Sequence, residues 1–261
     1  MNALKFLLDH PIIFLLVLLI VLGSATRLGV ALRTRHGPLE EARRGDFDIV
    51  LGATLTLLSL IVGFTFSMAA NRYDLRKNLE EAEANAIGTA YARADLLPGA
   101  DAARVHELLR EYTKLRVRFY SITNYTFETD RLLGELNRTT SSVQTQLWAA
   151  VVGPVSANQT APMALVAAAM NDALNSQGYA QAASWNRIPP GAWALLCTIG
   201  VVAAIMIGFR FDSGSRQRML MLVLPTLVAI SMFLISDIDC PRGGVIRVLP
   251  QNLMALEATL G

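Results

Sequence analysis

The stretch DIVLGATLTLLSLIVGFTFSMAANRYDLRKNLEEAEANAIGTAYARADLLP, residues 48–98, decides the fold of this chain. It begins as an uncharged apolar run, residues 49–70, and continues without a proline into a charged, helix-forming sequence. About 20 apolar residues are enough to cross a bilayer as a helix, and the residues that follow lack the usual helix stops. The sequence therefore predicts one helix of about 50 residues and roughly 70 Å, part membrane span and part soluble helix.

The composition of the whole chain is that of a multi-span membrane protein. Of its 261 residues, 53% are hydrophobic and 17% are charged, whereas soluble domains carry about a quarter charged residues. The apolar residues concentrate in four blocks, 11–30, 49–70, 193–209 and 219–235. We therefore predict an all-α membrane protein with four transmembrane helices and a helical extramembrane bundle. The net charge of +2, without basic runs, gives no indication of a nucleic acid partner.

The four blocks divide the chain into regions of one domain. Residues 1–70 hold the first two spans and a basic connecting loop, and 71–189 form the helical extramembrane region. The last two spans occupy 190–236, and 237–261 form a C-terminal tail. Four spans place both termini and the 71–189 region on one side. Lysines and arginines near the membrane are evenly divided between the two sides, so the orientation stays open, although their density favours cytoplasmic short loops.

The first block is also compatible with a secretory signal, because Gly23-Ser24-Ala25 resembles a cleavage site. Its length and the three later spans favour a retained helix.

The extramembrane region is predicted to contain four amphipathic helices. The first continues from the second span, and its predicted interior stripe is Leu75, Leu79, Ala82, Ala86 and Ala90. By contrast, the neighbouring acidic cluster Glu80-Glu81-Glu83 is predicted to be a solvated face.

The ends of the other three helices follow from capping and turn residues. Asp101 is the predicted N-cap of the second helix. Apolar spacing also predicts the buried faces of two helices. They are Val105, Leu108, Leu109, Tyr112, Leu115, Phe119 and Ile122 in the second helix, and Met163, Val166, Met170, Ala173 and Leu174 in the fourth. The third is expected from about residue 128 to Gly153-Pro154, and the fourth from Thr160 with Pro162 in its first turn.

No pattern in the chain indicates catalysis. Cys197 and Cys240 lie in or just after separate spans, without a metal-ligand spacing, and the three histidines are scattered. The sequence has no Gly-rich phosphate loop, no nucleophile elbow and no carboxylate pair at catalytic spacing. We therefore predict neither an enzyme nor a cofactor nor a bound metal.

The second span is rich in small and hydroxyl residues, and this leaves two structural roles open. Small residues let membrane helices approach closely, and in a pore they would form a wall that tolerates polar groups. The residues concerned are Gly52, Thr54, Thr56, Ser59, Gly63, Thr65 and Ser67.

Two segments resemble a known family. SLIVGFTFSMAANRYDLRK, residues 59–77, contains Gly63-Phe64, Arg72-Tyr73 and Arg76-Lys77 and resembles the pore helix of the bestrophin anion channels. ISDIDCPRGGVIRVLP, residues 235–250, with Asp239, Pro241 and Gly244, is similar to the C-terminal signature of the bestrophin-like domain family, bacterial membrane proteins of unknown function.

The resemblance implies a homopentamer in the inner membrane, with the second span lining a pore for small anions such as chloride. The family's neck, carried onto this sequence, is formed by Thr56, Leu60 and Phe64. Ser67 and Asn71 would offer hydrogen bonds to an anion.

By the same resemblance, Arg72 and Arg76 would raise the local anion concentration.

Simpler roles remain open for the same residues. Leu60 and Phe64 would equally pack against neighbouring spans, and Arg72 would equally extend to lipid headgroups. Asp237 and Asp239 would equally cap the fourth span or pair with Arg242, with Pro241–Gly244 as the turn that follows. The alternative function is then a membrane-anchored sensor or interaction protein whose helical region binds a partner without conduction.

Overall fold

A computed structural model describes residues 3–37, 40–211 and 215–261, and side chains are described except at 3, 42 and 215–218. Within these residues the chain folds into helices and contains no strand. Their bounds are α1 Ala3–Asp9, α2 Pro11–His36, α3 Glu41–Ala94, α4 Gly99–Ser121, α5 Phe127–Ala157, α6 Ala161–Trp185, α7 Pro190–Arg210, α8 Ser215–Asp239 and α9 Gln251–Leu260. The predicted turn at Gly37-Pro38 and the centre of the connection after Arg210 lie outside the described residues.

Within the described residues, four helices are long and apolar enough to cross a membrane, as predicted. The apolar windows fall in Pro11–His36, Arg43–Ala94, Ala161–Arg210 and Met219–Asp239. The second belongs to α3, which runs for 54 residues without a break and is therefore about 80 Å long. The prediction of one helix that continues from membrane span to soluble helix is confirmed.

The contacts within the chain define two compact units. The first contains the described residues up to Asn71 together with Arg187–Ile246. The second contains Arg72–Asn186 and Arg247–Gly261, so that the end of the C-terminal tail belongs to it. The sequence had suggested limits at 70/71 and 189/190 and a separate tail.

In the first unit, α2 and α7 approach until their backbones touch. A Cβ added at Gly208 would overlap the carbonyl oxygen of Thr26, and one added at Gly29 would overlap that of Ile205. Phe14 packs edge-on against the buried Trp193, with ring centroids 5.4 Å apart. These contacts hold the first and third spans together through small residues and one aromatic pair.

The second unit has a mainly apolar core between its helices. Most of the core positions predicted for α4 and α6 are buried, among them Leu109, Tyr112, Val166 and Met170. The C-terminal helix α9 adds Leu253, which is also buried. Amphipathic spacing alone therefore identified the packing faces of these two helices.

The predicted stripe on α3 is correct at Ala90, which is buried, and wrong at Leu75 and Ala82, which are exposed. Leu75 is 45% exposed, whereas Arg76 is buried, and Ile87, eleven residues after Arg76 and on the same side of the helix, is completely buried. The interior face begins with charged residues, and this is why a stripe chosen for its leucines and alanines missed it.

The acidic cluster is correspondingly not a solvated face. Glu83 is fully buried, and its carboxylate accepts hydrogen bonds from the Arg116 guanidinium and, at 3.1 Å, from the Tyr120 hydroxyl. Glu80 is also buried and accepts from the Leu253 backbone N–H at 3.0 Å, near the start of α9. Only Glu81 is exposed, as predicted. Buried carboxylates persist because each is hydrogen-bonded.

Two predicted helix limits also differ from the structure. Asp101 is not an N-cap, because α4 already begins at Gly99. Helix α5 does not end at Gly153-Pro154; it continues to Ala157 with Pro154 inside it. A proline removes one backbone donor, and here the remaining turn still closes, with Asn158 N–H bonding to the Pro154 carbonyl. Thr160, by contrast, is the N-cap position of α6, as predicted.

Candidate functional site

The apolar segment of α3 is the least covered span of the protein. Only 11% of the residues in its apolar window are buried, against 33%, 44% and 33% in the other three spans. Its buried positions, Leu58, Thr65 and Ala69, lie on one side of the helix. Some further positions are half-buried, such as Thr54, whose Oγ1 lies 3.9 Å from Met206 Sδ. The exposed remainder of the surface must face lipid or another molecule.

The predicted neck residues lie on the uncovered side. Phe64 is 64% exposed and Leu60 is 52% exposed, and Thr56 is exposed as well. At about 100° per residue, these three positions span roughly 80° of the helix surface. The centre of that arc lies about 160° from the buried line, so the face points almost directly away from the rest of the unit.

The hydroxyl of Thr56 does not interrupt the apolar character of this face. Its Oγ1 donates to the Gly52 carbonyl at 2.9 Å, which satisfies the proton of the hydroxyl within the helix. Ser59 is bonded in the same way to the Thr56 carbonyl at 2.8 Å. The neck face therefore combines two apolar side chains with a threonine whose donor is already used.

Ser67 and Asn71 continue the same face toward the end of the apolar segment. Both are exposed, and on the helical wheel both fall within the arc of the neck residues. Neither makes a hydrogen bond with the described part of the chain, so both keep free donors. Gly63, between the neck residues, has open space around its Cα.

The two arginines do not share this face. Arg76 is buried, and Arg72 is half-buried with its Nη1 atom out of contact with solvent. Tyr73 is half-buried too. At 100° per residue both arginines fall near the buried line of α3 instead of the neck arc. They can influence an ion through their electric field, whereas direct contact would need a different orientation.

The C-terminal signature forms a second cluster of polar residues, at the end of α8. The Asp237 carboxylate accepts two backbone hydrogen bonds, from Val245 N–H and Ile246 N–H, each at 2.8 Å. The Asp239 carboxylate accepts from Ile188 N–H at 3.2 Å, next to the start of α7. Both aspartates are buried, and they tie the tail and the third span to the end of the fourth.

Arg187 connects this cluster to the N-terminal helix. Its guanidinium bonds to the buried Asp9 carboxylate, donates to the Leu8 carbonyl at 2.9 Å and lies 3.5 Å from Asp239 Oδ2. Sequence reasoning considered Arg242 as the partner of Asp239 and missed Arg187 and Asp9. A weak signal existed, since each is a charged residue two positions before a proline at the start of an apolar span.

Pro241 and Gly244 belong to the turn that closes the cluster. A Cβ added at Gly244 would lie 2.6 Å from the Asp237 carbonyl oxygen, so only glycine fits there. The Cys240 thiol is buried and accepts from Gly243 N–H at 3.2 Å. Burial raises the pKa of this thiol, although the charge of Arg187 acts in the opposite direction. The signature residues are therefore structural, and a thiolate is not expected here at neutral pH.

We expect Asp237→Ala to destabilise the protein by about 2 to 3 kcal/mol, because the buried Asp237 carboxyl group accepts two backbone hydrogen bonds that alanine cannot make. Thermal unfolding in a nonionic detergent measures the effect. Asp74→Ala is the matched control, since Asp74 is exposed on α3 and carries no such hydrogen bonds. Equal shifts for the two variants would contradict the structural role of Asp237.

The described residues contain no group of three or more His, Cys, Asp or Glu side chains able to hold a metal ion. The candidate site is a helix face on which the three predicted neck residues are followed by two exposed hydrogen-bond donors, Ser67 and Asn71.

Comparison with known proteins gives a consistent result. The model of the Bestrophin-like domain matches residues 18–253, most of the chain. The fold is similar to that of a bacterial Bestrophin homologue from Klebsiella pneumoniae, with a TM-score of 0.62, 16% identity and coverage of 95% of each chain. A mutant of that homologue gives 0.64 at 14% identity, over 94% of this chain and 95% of the other. No curated protein matches the sequence.

Proposed function

The chain belongs to the bestrophin-like domain family, and from that premise we propose that it is a homopentameric channel of the inner membrane for small anions such as chloride. Five copies of α3 would surround the pore. The observation that carries the proposal is the uncovered face of α3, on which Thr56, Leu60 and Phe64 point away from every contact of their own unit. In a ring of five chains, that face would turn toward the central axis.

The chemistry of this face suits a gated pore. Five phenylalanines and five leucines at one constriction would exclude water when the ring is narrow, and such apolar constrictions gate by dewetting. Beyond the neck, Ser67 and Asn71 would donate hydrogen bonds to an anion that has lost part of its hydration shell. Anions need donors, and the face carries no acidic residue between Thr56 and Asn71.

Arg72 and Arg76 would contribute through their field. They lie away from the neck arc, but charges act over a Debye length of about 8 to 10 Å at physiological salt. Their expected effect is a higher local concentration of anions, which falls as ionic strength rises.

We expect Phe64→Ala, alone and with Leu60→Ala, to raise the single-channel conductance or to abolish closing in planar-bilayer recordings. The reason is that removing five large side chains from a pentamer, or ten in the double variant, would widen and wet the constriction. Phe66→Ala is the matched control, because Phe66 is exposed on the same helix but points about 200° away from Phe64.

Unchanged currents in the neck variants, or an equal effect of Phe66→Ala, would contradict this pore face. Permeability ratios in asymmetric chloride solutions test the anion preference separately.

The alternative is a membrane-anchored sensor or interaction protein without conduction. It is favoured by large exposed aromatic side chains in the second unit, namely Tyr179 and Trp185 on α6, at 64% and 74% exposed. The mass of the purified protein in detergent separates the two functions. A pentamer is expected for the channel, whereas a monomer or dimer would overturn it.

A further inference from the structure

The first span carries one charge in an otherwise apolar sequence. Arg27 is the only ionisable residue between Pro11 and Arg33 in α2. It is exposed on the surface of the helix, and it makes no hydrogen bond or ion pair with the described part of the chain. Charged residues within spans usually face a bundle interior, where a partner is present. An outward-facing arginine in a membrane instead needs a partner from its surroundings.

Arg27 lies at a groove between α2 and α8, within the first unit. The groove has a volume of about 410 Å³, within the usual range for sites of small ligands. Its lining comprises Leu19, Ile20, Gly23, Ser24, Arg27, Leu222 and Thr226. No acidic residue is among them, so nothing in the lining neutralises the guanidinium.

Two hydroxyls in this lining are also without partners. Most hydroxyls of the spans bond back to a backbone carbonyl of the preceding turn, as Thr26 does to Leu22 at 2.9 Å and Ser231 does to Leu227 at 2.9 Å. Ser24 and Thr226 form no such bond with any residue that the structure describes. The groove therefore presents one charged group and two free hydroxyls in an apolar setting, where unpaired polar groups are costly.

The polar groups are ordered along the groove. A Cβ added at Gly200 would contact Leu22 at 3.7 Å and Val228 at 3.8 Å, so these two residues lie at one level. Helix α8 runs antiparallel to α2. Ser24 lies two residues after Leu22 on α2, and Thr226 lies two residues before Val228 on α8, so Ser24 and Thr226 are again level with each other.

Arg27 lies about 5 Å beyond that level and Ile20 about 6 Å before it, at 1.5 Å per residue. Charge, hydroxyl and hydrocarbon thus follow one another along the α2 side of the groove. On the α8 side, Leu222 lies four residues before Thr226 and is therefore level with residue 28, beside Arg27.

We propose that this groove binds one anionic phospholipid, with its phosphate on Arg27, its glycerol and ester region at Ser24 and Thr226, and an acyl chain along Leu19 and Ile20. The order of the lining groups matches the order of groups in such a lipid. The positive charge selects an anionic headgroup, and guanidinium binds phosphate through paired hydrogen bonds. The inference depends only on the membrane location of the chain and is independent of conduction.

Gly23 allows the groove to be filled without disturbing the protein. A Cβ added there would meet no atom within 4 Å, so Gly23→Leu is expected to fold normally and to occupy the space of the acyl chain. Arg27→Gln removes the charge and keeps a side chain of similar length. Arg35→Gln is the matched control, because Arg35 is an exposed arginine on the same helix outside the groove.

Native mass spectrometry of the full-length protein, titrated in maltoside detergent with phosphatidylglycerol or phosphatidylcholine, tests the proposal. We expect the wild-type protein and Arg35→Gln to bind one phosphatidylglycerol per chain in preference to phosphatidylcholine. Arg27→Gln should weaken phosphatidylglycerol binding about tenfold and remove the preference. Gly23→Leu should weaken binding of both lipids, with thermal unfolding of the lipid-free protein unchanged.

Three results would overturn the proposal. The first is equal binding by all variants. The second is an equal loss in Arg35→Gln, which would indicate general attraction of anionic lipids. The third is a change in subunit number in Arg27→Gln and Gly23→Leu with lipid binding unchanged, which would assign the groove to a contact with a second copy of this chain.

Discussion

Gly208→Leu is expected to prevent stable folding of the membrane unit, with a loss of more than about 3 kcal/mol. The physical reason is that any Cβ at position 208 would overlap the backbone of Thr26, and backbone atoms cannot move aside as a side chain can. Helices α2 and α7 would have to separate along their shared contact, which also includes Gly29 and the Phe14–Trp193 pair. The monodisperse fraction in size-exclusion chromatography and the thermal midpoint in detergent measure the effect.

Gly200→Ala is the matched control on the same helix. A Cβ at Gly200 makes ordinary contacts of 3.7 and 3.8 Å with two side chains, so this variant should unfold at nearly the wild-type temperature. Gly208→Ala should already be clearly destabilised. If Gly208→Leu had wild-type stability, the backbone contact between α2 and α7 at this position would be contradicted.

The second large effect is expected in the extramembrane unit, where Arg116→Leu should cost about 3 to 5 kcal/mol. Arg116 and Glu83 are both almost completely buried, and Tyr120 donates a third hydrogen bond to the same carboxylate. Removing the guanidinium would leave the buried Glu83 carboxyl group without its cationic partner. Burial opposes the charged form of Arg116, but the charge of Glu83, its hydrogen bonds and the two neighbouring tyrosines together outweigh burial and raise the pKa of Arg116 above its ordinary value.

The neighbouring tyrosines remain protonated and support this arrangement. Burial, and then the negative charge of Glu83, raise the pKa of Tyr120 well above its ordinary value, and the same two causes raise that of Tyr112. Tyr120 therefore stays a donor to the Glu83 carboxylate at any physiological pH.

A combined variant separates the charge from the packing. Replacing the whole group, as Glu83→Leu with Arg116→Leu and Tyr120→Phe, should recover most of the lost stability, because no buried charge then lacks a partner. The exposed pair Arg104–Glu107 is the control, and Arg104→Gln should change stability by less than about 1 kcal/mol. If Arg116→Leu proved as mild as Arg104→Gln, the buried pair would not exist in solution.

The sequence by itself determined the features that depend on local pattern. Four apolar runs of sufficient length predicted the four spans. The missing helix stop after residue 70 predicted the long helix α3, and amphipathic spacing predicted the buried faces of α4 and α6. Each follows from residues that are close in the chain, where helix geometry fixes which side chains share a face. The two short motifs likewise predicted the family.

Only the tertiary structure decided which groups meet across the chain. The partners of Glu83 and Asp239 are Arg116 and Arg187, distant in sequence and reached through packing. For this reason the acidic cluster on α3 was wrongly predicted to be solvated.

The tertiary structure also decided which side of each span is covered. All faces of an apolar helix have similar hydropathy, so the sequence does not show which face is covered by a neighbouring helix. It therefore could not predict that Gly208 contacts the backbone of Thr26 or that Arg27 faces outward. The exposed neck face of α3 is likewise defined by the positions of the other helices. The physical reason is common to all these cases: local sequence fixes the helix, and packing selects its faces.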